Sequence, residues 1–177
     1  MAITRLNHAV LYVRDAESSA GFYADVLGFR RLPAEFPGAV FMQAPGSNND
    51  HDLGLFSIGA AAEASQAGRR TVGLYHLAWE VETLADLEQL AGALSEAGAL
   101  IGASDHGTTK ALYGRDPDGI EFEVSWLVPA ELIDDAAISA KSRIGRLDIA
   151  AEKTRYGART RGGVGVSSPA PSAPTSA

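Results

Sequence analysis

Residues 6–13, LNHAVLYV, and residues 74–81, LYHLAWEV, follow one pattern. In each, a leucine is followed after one residue by a histidine, and strand-type residues then lead to a valine. Short runs of β-branched, aromatic and other apolar residues are typical of half-buried strands. Because the pattern occurs twice, 68 residues apart, it indicates an internal repeat.

A predicted helix follows each of these two strands. Asp15 is the predicted N-cap of the first helix and Thr83 that of the second, while Gly28 and Gly98 are the predicted stops. Three strand-like runs, bounded by Pro, Gly, Asn and Asp, follow each helix. The runs are 29–36, 39–44 and 52–58 in the first half, and 99–103, 110–115 and 119–127 in the second. The order βαβββ therefore occurs twice.

This order predicts an α+β fold in which paired βαβββ modules form a curved mixed sheet around a cavity. We assign the modules to residues 4–59 and 73–127, within a domain of residues 1–128. Residues 129–150 begin with a proline, which suits the first turn of a helix, and are predicted to be an appended helical region. Residues 151–177 hold few large apolar residues and are predicted to be a disordered tail.

The composition describes an acidic globular protein, with 46% hydrophobic residues, 21% charged residues and a formal net charge of −7. This charge argues against binding to a nucleic-acid backbone, which needs a clustered basic surface. No apolar run approaches the ~20 residues of a spanning helix, and the N-terminus lacks the pattern of a secretory signal. With no cysteine, any metal must be held by nitrogen and oxygen ligands. We therefore expect a cytoplasmic protein.

The chain contains four histidines, and two of them occupy equivalent positions in the repeat. His8 and His76 are each the third residue of the two matching stretches. If a pseudo-twofold axis relates the halves, these imidazoles face each other, and converging imidazoles favour a metal site. A single histidine on an apolar strand is more often a hydrogen-bonded core residue, but the duplication lowers the weight of that alternative.

The last predicted strand, GIEFEVSW at residues 119–126, offers a carboxylate for such a site. Glu121 and Glu123 alternate with apolar residues, so both lie on one face of the strand. Because the last strand of a βαβββ unit borders the first, this face is expected to look toward His76. A solvent-exposed acidic face is the alternative. The spacing by itself leaves the choice between the two glutamates open.

The first half offers no second carboxylate. Leu55 stands at the same offset from His8 as Glu123 does from His76. The predicted ligand set is therefore two histidines and one carboxylate, with the remaining positions open. An open set of this kind favours non-haem Fe(II), which binds a substrate and dioxygen together.

These motifs resemble the vicinal oxygen chelate superfamily, which includes glyoxalases, bleomycin-resistance proteins, methylmalonyl-CoA epimerases and extradiol catechol dioxygenases. The resemblance covers residues 4–127 and is greatest to the type I extradiol ring-cleaving dioxygenases. Their metal-binding domain carries a His in the first strand, a His in the second repeat and a Glu in an Asp-Pro-x-Gly-x-x-x-Glu segment. In DPDGIEFE, residues 116–123, this rule implies Glu123 as the ligand that joins His8 and His76.

Three further residues resemble the family's active-site pattern. The strand HDLGLF resembles one that carries an active-site histidine, here His51. The segment DHGTTKALY resembles one that carries a second histidine and a tyrosine, here His106 and Tyr113. All four histidines thereby find a role. The sequence departs from the pattern at Ile120, where the family commonly has Asn, and in the loop lengths around the site, which leaves the substrate open.

The resemblance implies an Fe(II) centre, with Mn(II) as the second choice. The implied ligands are His8, His76 and Glu123. A catecholic substrate would bind through its two vicinal oxygens, together with O2. His51 is implied as the acid–base residue, and His106 and Tyr113 as hydrogen-bond donors to the substrate. We also expect a homodimer or a higher homo-oligomer.

Two other functions stay open at this point. A glyoxalase- or epimerase-like enzyme would use a divalent metal to polarise a carbonyl, with a carboxylate such as Glu121 moving a proton. Against it, Leu55 stands where a fourth metal ligand is expected. A metal-free, bleomycin-resistance-like protein that sequesters a planar ligand would need no His-His-Glu set.

Overall fold

The structure, a computed structural model of the 177-residue chain, describes residues 3, 5–33, 36–67 and 70–163. The chain divides into two units. The N-terminal unit comprises Met1–Tyr75 and Arg115–Ile120, and the C-terminal unit comprises His76–Gly114 and Glu121–Ala177. The division therefore follows the sequence repeat, except that the turn at 115–120 belongs to the N-terminal unit.

The N-terminal unit contains one βαβββ module. Its elements are β1 (Ala9–Val13), α1 (Ala16–Asp25), β2 (Arg30–Arg31), β3 (Ala39–Gln43) and β4 (Leu53–Ser57). The sheet order is β1-β4-β3-β2, with β1 and β4 parallel and the other neighbours antiparallel. Asp15 caps α1 by accepting the Ser18 N–H at 2.7 Å. Tyr23 of α1 is fully buried with apolar residues of the sheet, which are Leu11, Val13, Met42, Leu53 and Leu55.

The C-terminal unit repeats this plan. Its module consists of β5 (His76–Glu80), α2 (Leu84–Glu96), β6 (Leu100–Asp105), β7 (Thr109–Arg115) and β8 (Glu121–Leu127). The sheet order is β5-β8-β7-β6, with β5 and β8 parallel. Thr83 caps α2 in a capping box with Asp86, so two N–H groups at the start of the helix are satisfied reciprocally.

The predicted α+β class and the two βαβββ modules are confirmed. One strand is shorter than expected, since among the described residues of the predicted run 29–36 only Arg30–Arg31 form a strand. Residues 34 and 35 of that run lie outside the described residues. Pro33 follows closely and has no N–H to donate to a neighbouring strand. Within the described part of the chain, no helix combines the length and the apolar character that crossing a membrane requires.

Strand register corrects the comparison of the two halves. The residues that follow the two repeated histidines pair as Ala9 with Leu53 and Leu77 with Phe122. The counterpart of Glu123 in the first module is therefore Gly54, and the sequence count that gave Leu55 is wrong by one residue. The first module has one residue fewer between these strands, which a fixed offset cannot detect. Either way, the first module has no carboxylate at this position.

The Asp-Pro-Asp-Gly turn between β7 and β8 is anchored in the N-terminal unit. Arg14 forms an ion pair with Asp118, with Nη1 and Oδ1 2.6 Å apart. Oδ1 of Asp116 accepts the N–H groups of Asp118 and Ile120, each at 2.9 Å. The hydroxyl of Tyr23 donates to the other Asp116 oxygen at 3.3 Å. The conformation of the turn is therefore held by two aspartates with different partners.

Burial controls the ionisation of this network. Burial raises the pKa of the Asp116 carboxyl above its ordinary value, and the backbone N–H donors of Ile120 and Asp118 only partly offset the rise. Burial also raises the pKa of the Tyr23 phenol, and the neighbouring Asp116 carboxylate adds to that rise. The folded protein therefore holds the Asp116 proton more tightly than the unfolded chain does.

The C-terminal extension, residues 129–163, contains a 3-10 turn (Ala130–Leu132) and two helices, α3 (Asp135–Ala140) and α4 (Ile149–Tyr156). The prediction of disorder from residue 151 is wrong as far as residue 163. The indole N–H of Trp126 donates to the carbonyl of Thr160 at 3.1 Å, and the Gly162 N–H donates to the Glu82 carbonyl at 2.9 Å. Composition missed these contacts because the segment has few large apolar residues and is held by the buried Tyr156, by hydrogen bonds and by ion pairs such as Lys153–Glu88. Residues 164–177 of the predicted tail lie outside the described residues.

We predict that Asp116→Asn changes how stability depends on pH. In the wild type, the folded state binds more protons than the unfolded state between the unfolded and the raised folded pKa, so the free energy of unfolding falls as pH rises through that window. Asparagine keeps the Oδ1 acceptor and removes the charge. The stability of the variant relative to wild type should therefore increase with pH by up to about 1.4 kcal/mol per unit.

Urea denaturation between pH 4 and pH 7 measures this difference. The matched control is Asp25→Asn, which removes the charge of an exposed aspartate in α1. A stability difference for Asp116→Asn that stays flat with pH, or that the control reproduces, contradicts the prediction.

Candidate functional site

A histidine and a glutamate meet on neighbouring strands of the C-terminal unit. The register of β5 and β8 places His76 opposite Glu121 and Ala78 opposite Glu123, so the two glutamates share the face of His76. Nε2 of His76 lies 3.4 Å from Oε2 of Glu123, with 28% and 14% of the respective side chains exposed. Glu123, which the family rule selects, thus makes the contact with His76.

This pair fits two adjacent ligands of a divalent metal. Its separation of 3.4 Å is longer than a strong charge-assisted hydrogen bond. Nitrogen and oxygen ligands lie roughly 2.0–2.2 Å from a metal, so two ligands at right angles are about 3 Å apart. Imidazole and carboxylate are also the donors that Fe(II) takes in open sites. Over the described residues, neither unit by itself holds three His, Asp or Glu side chains placed to bind one ion.

A second cluster adjoins this pair. Nε2 of His106 lies 2.8 Å from Oγ of Ser104 and 3.2 Å from the hydroxyl of Tyr113, and the two hydroxyl oxygens are 3.2 Å apart. The Tyr113 ring stands edge to face with His76, with ring centroids 6.0 Å apart. His76, Glu123, Tyr113, His106 and Ser104 therefore form one continuous group in the C-terminal unit.

The hydrogen bonds of this group determine whether the Tyr113 hydroxyl donates or accepts. When His106 carries its proton on Nε2, it donates to Ser104, and Ser104 donates to Tyr113. The Tyr113 hydroxyl then accepts from Ser104 and donates its own proton to another acceptor. Ser104 is 4% exposed, so the bond is shielded from water. The arrangement suits hydrogen-bond donation to an oxygen that gains negative charge.

Ser104 was not identified from the sequence. It stands two residues before His106, so the period of a strand places both side chains on one face. That signal was present but weak, because serine is common in strands and turns and Ser104 lies in no motif of the family. The sheet register and the side-chain rotamers bring it to His106.

The other two predicted residues meet in the N-terminal unit. The rings of His8 and His51 are 4.4 Å apart and tilted by 44°. Nδ1 of His8 lies 2.7 Å from Oδ1 of Asn7, and Nδ1 of His51 lies 2.9 Å from Oδ2 of Asp50. Each imidazole thus has Nδ1 engaged with a neighbour along the chain, an arrangement that orients Nε2 for an interaction with a ligand.

Asn49 joins the two segments that carry these histidines. Its side-chain amide donates to the carbonyl of Asn7 at 2.7 Å and to the carbonyl of His51 at 2.8 Å. Its own Oδ1 accepts from the Asn7 amide at 3.1 Å. The turn-rich stretch before His51 is therefore a structural link between the chain before β1 and the chain before β4. No sequence motif marked Asn49 for this role.

An apolar cavity adjoins His51. Leu32, Pro33, Phe41, Asp50 and His51 line a volume of about 470 Å³. The Phe41 ring stands edge to face with His51 at 5.2 Å and with Phe56 at 5.9 Å. Phe41 also lies 3.5 Å from where a Cβ on Gly54 would be, so an aromatic ring packs at the counterpart of Glu123. His51 is therefore part of a half-buried aromatic wall.

We predict that Asn49→Ala destabilises the fold by about 1–3 kcal/mol, because two carbonyl groups lose their donor. The neighbouring Asn48 is exposed, and Asn48→Ala should change stability by less than about 0.5 kcal/mol. Urea denaturation of both variants measures the difference. Equal effects of the two substitutions would show that Asn49 is not a link.

A family model and a solved structure that are similar to this chain carry the same family description. A family model described as the glyoxalase/bleomycin resistance protein/dioxygenase superfamily matches residues 5–124. A solved structure of a glyoxylase/bleomycin resistance protein/dioxygenase domain from Frankia sp. EAN1pec is 25% identical, with a TM-score of 0.60. That alignment covers 72% of this chain and 100% of the Frankia chain.

Two curated relatives are similar in sequence. A catechol-2,3-dioxygenase of Bacillus subtilis (strain 168) is 31% identical over 121 residues, which is 68% of this chain and 41% of that protein. A biphenyl-2,3-diol 1,2-dioxygenase 3 of Rhodococcus globerulus is 33% identical over 141 residues, which is 76% of this chain and 71% of that protein. The similarity to the Bacillus protein thus spans less than half of its length.

Proposed function

Since the chain belongs to the glyoxalase/bleomycin resistance protein/dioxygenase superfamily, we propose that it is an extradiol dioxygenase. It would cleave the ring of a catecholic substrate and insert both atoms of O2 at a mononuclear Fe(II) site. The observation that carries this proposal is the continuous group in which the His76–Glu123 pair adjoins Tyr113 and His106. The two curated relatives add support, because both are named for aromatic vicinal diols.

In this proposal His8, His76 and Glu123 hold the metal. Fe(II) is the proposed ion and Mn(II) the second choice, since both accept imidazole and carboxylate ligands in open sites. Bound metal would supply a Lewis acid that lowers the pKa of the diol and brings it together with O2. The substrate provides all of the electrons that O2 takes up, so the reaction needs no external reductant.

His51 is the proposed acid–base residue. With Nδ1–H donating to Asp50 at 2.9 Å, Nε2 carries the lone pair that takes a hydroxyl proton from the diol. The same nitrogen returns the proton later in the reaction. The aromatic wall of Phe41 beside His51 gives an aromatic substrate an apolar surface. Tyr113, oriented by Ser104 and His106, donates a hydrogen bond to a substrate oxygen.

The register of β1 and β4 argues against a lyase or isomerase whose metal is held by four protein ligands. Gly54 stands at the counterpart of Glu123, and the Phe41 ring packs against it. A glyoxalase- or epimerase-like reaction consumes no oxygen, and a metal-free binding protein turns over no substrate. Oxygen uptake therefore separates the three functions.

The deciding experiment loads the metal-free protein anaerobically with Fe(II) and adds a panel of vicinal diols, with catechol and biphenyl-2,3-diol first. Oxygen uptake and the absorbance of the coloured ring-fission product are recorded together. We expect both signals with Fe(II), and a weaker pair or none with Mn(II). Absence of oxygen uptake with every diol would overturn the proposal.

We predict that His8→Ala and Glu123→Ala each lower iron affinity and turnover by more than about 100-fold, because each removes a ligand. Glu121→Gln is the matched control, since Glu121 shares the face of β8 with Glu123. It should retain iron. Iron content after gel filtration measures binding, and oxygen uptake measures turnover. Wild-type iron content in Glu123→Ala would exclude it as a ligand.

We predict that His51→Phe lowers turnover without lowering iron content. Turnover should fall by about 10²–10⁴-fold because the acid–base group is lost, while iron content stays at the wild-type level. Phenylalanine keeps a ring against Phe41 and so preserves the wall. Loss of iron from this variant would show that His51 serves the metal instead of the proton transfer.

A further inference from the structure

The turn that presents His106 is held by the C-terminal extension as well as by its own strands. This turn, residues 105–110, joins β6 to β7. Asp105 and Gly145 exchange two backbone hydrogen bonds, of 2.9 Å and 2.8 Å, as an antiparallel bridge. Gly107, at a φ of +75°, lies so close to α3 that an added Cβ would be 2.2 Å from the Ala137 carbonyl oxygen. The extension therefore packs directly on this turn.

A buried lysine ties the same turn to α4. Lys110 is 0% exposed, and its ammonium lies 2.6 Å from Oδ1 of Asp105 and 3.0 Å from Oε2 of Glu152. Oδ1 of Asp105 also accepts the Gly107 N–H at 2.7 Å. The Lys110 ammonium lies 5.7 Å from the centre of the Tyr156 ring. A buried charge needs such partners, so the turn and α4 are fixed together.

The residues of the extension that make these contacts lie outside the part of the chain that the family model matches. The match ends at residue 124, and the Frankia domain aligns over its whole length with only 72% of this chain. Gly145, Glu152 and Tyr156 all follow the matched region. The extension is thus an addition to the two-module fold, and it contacts the turn that carries His106, the residue proposed to orient Tyr113.

We propose that the extension is a positioning element, which acts through Glu152 and Lys110 to hold the His106 imidazole against Ser104 and Tyr113. Lys110 and Glu152 do not touch the reacting groups. They fix the backbone on both sides of His106. Within the same turn, the backbone N–H of His106 donates to the Thr109 carbonyl at 2.9 Å. The effect on catalysis rests on the proposed dioxygenase function, whereas the effect on the imidazole does not.

The test compares the full-length, metal-free wild type with Lys110→Met and Glu152→Leu. The readout is the set of ring ¹⁵N and ¹H shifts of the four histidines, assigned with His106→Gln. In wild type we expect His106 in one tautomer, with its Nε2 in a stable hydrogen bond. In both variants the His106 signals should shift or broaden, while those of His8 and His51 stay unchanged. Glu152→Leu leaves Lys110 paired with Asp105, so it remains informative if Lys110→Met fails to fold.

Lys153→Met is the matched control. Lys153 belongs to the same helix, but it pairs with Glu88 of α2 at 2.6 Å. A change of His106 in the two test variants but not in the control supports the proposal. Unchanged His106 signals in Glu152→Leu, or an equal change in the control, overturns it.

Kinetics with the Fe(II) enzyme complete the test. The test variants should lose up to about 100-fold in kcat and in kcat/KM alike, with wild-type iron content. The reason is that a displaced His106 no longer orients the Tyr113 hydroxyl, whose hydrogen bond to the substrate is made in the transition state. If no diol is turned over by the wild type, the dioxygenase function fails while the shifts still decide the positioning role. If turnover of the variants equals that of wild type despite altered shifts, the positioning role in catalysis is overturned.

Discussion

Parallel pairing between the first and the last strand of each module is the constraint on which the site depends. A parallel pair needs a long crossover, and here α1 or α2 and two further strands lie between the partners. The pairing brings residues that are far apart in sequence onto one face. It places His76 beside Glu123, and a shift of one residue would turn the carboxylate to the opposite face. The chemistry of the pair therefore depends on register more than on the residues alone.

The two modules carry different side chains at equivalent positions of the repeat. In the C-terminal module, the neighbouring strand β8 carries the carboxylate of Glu123 opposite Ala78, two residues after His76. In the N-terminal module, Gly54 and the Phe41 ring take that place. One module thus carries the His76–Glu123 pair beside Tyr113, and the other carries two histidines beside an aromatic wall. The two modules therefore share one strand order but differ in the side chains that they carry.

Polar groups at the edges of the modules serve to fix backbone. Asp116 and Asp118 hold the turn before β8, Asn49 links the segments that carry His8 and His51, and Lys110 ties the His106 turn to α4. Each of these groups satisfies backbone or buried charge that would otherwise cost free energy. Rigid support of this kind restricts the orientations of the nearby hydrogen-bonding side chains.

The sequence by itself determined the two βαβββ modules, because periodicity, caps and turn residues are local signals that occur twice. The repeat marked His8 and His76 as candidates, and the resemblance to the superfamily added His51, His106, Tyr113 and the choice of Glu123 over Glu121, since the motifs of the family are short and contiguous. Only the tertiary structure decided which of them touch: Glu123 with His76, His106 with Tyr113 through Ser104, and His8 with His51. Ser104, Asn49 and the ordered segment to residue 163 escaped prediction because their contacts join residues distant in sequence or depend on rotamers. Local pattern fixes the elements, but register and side-chain packing, which arise when distant strands pair, select the partners.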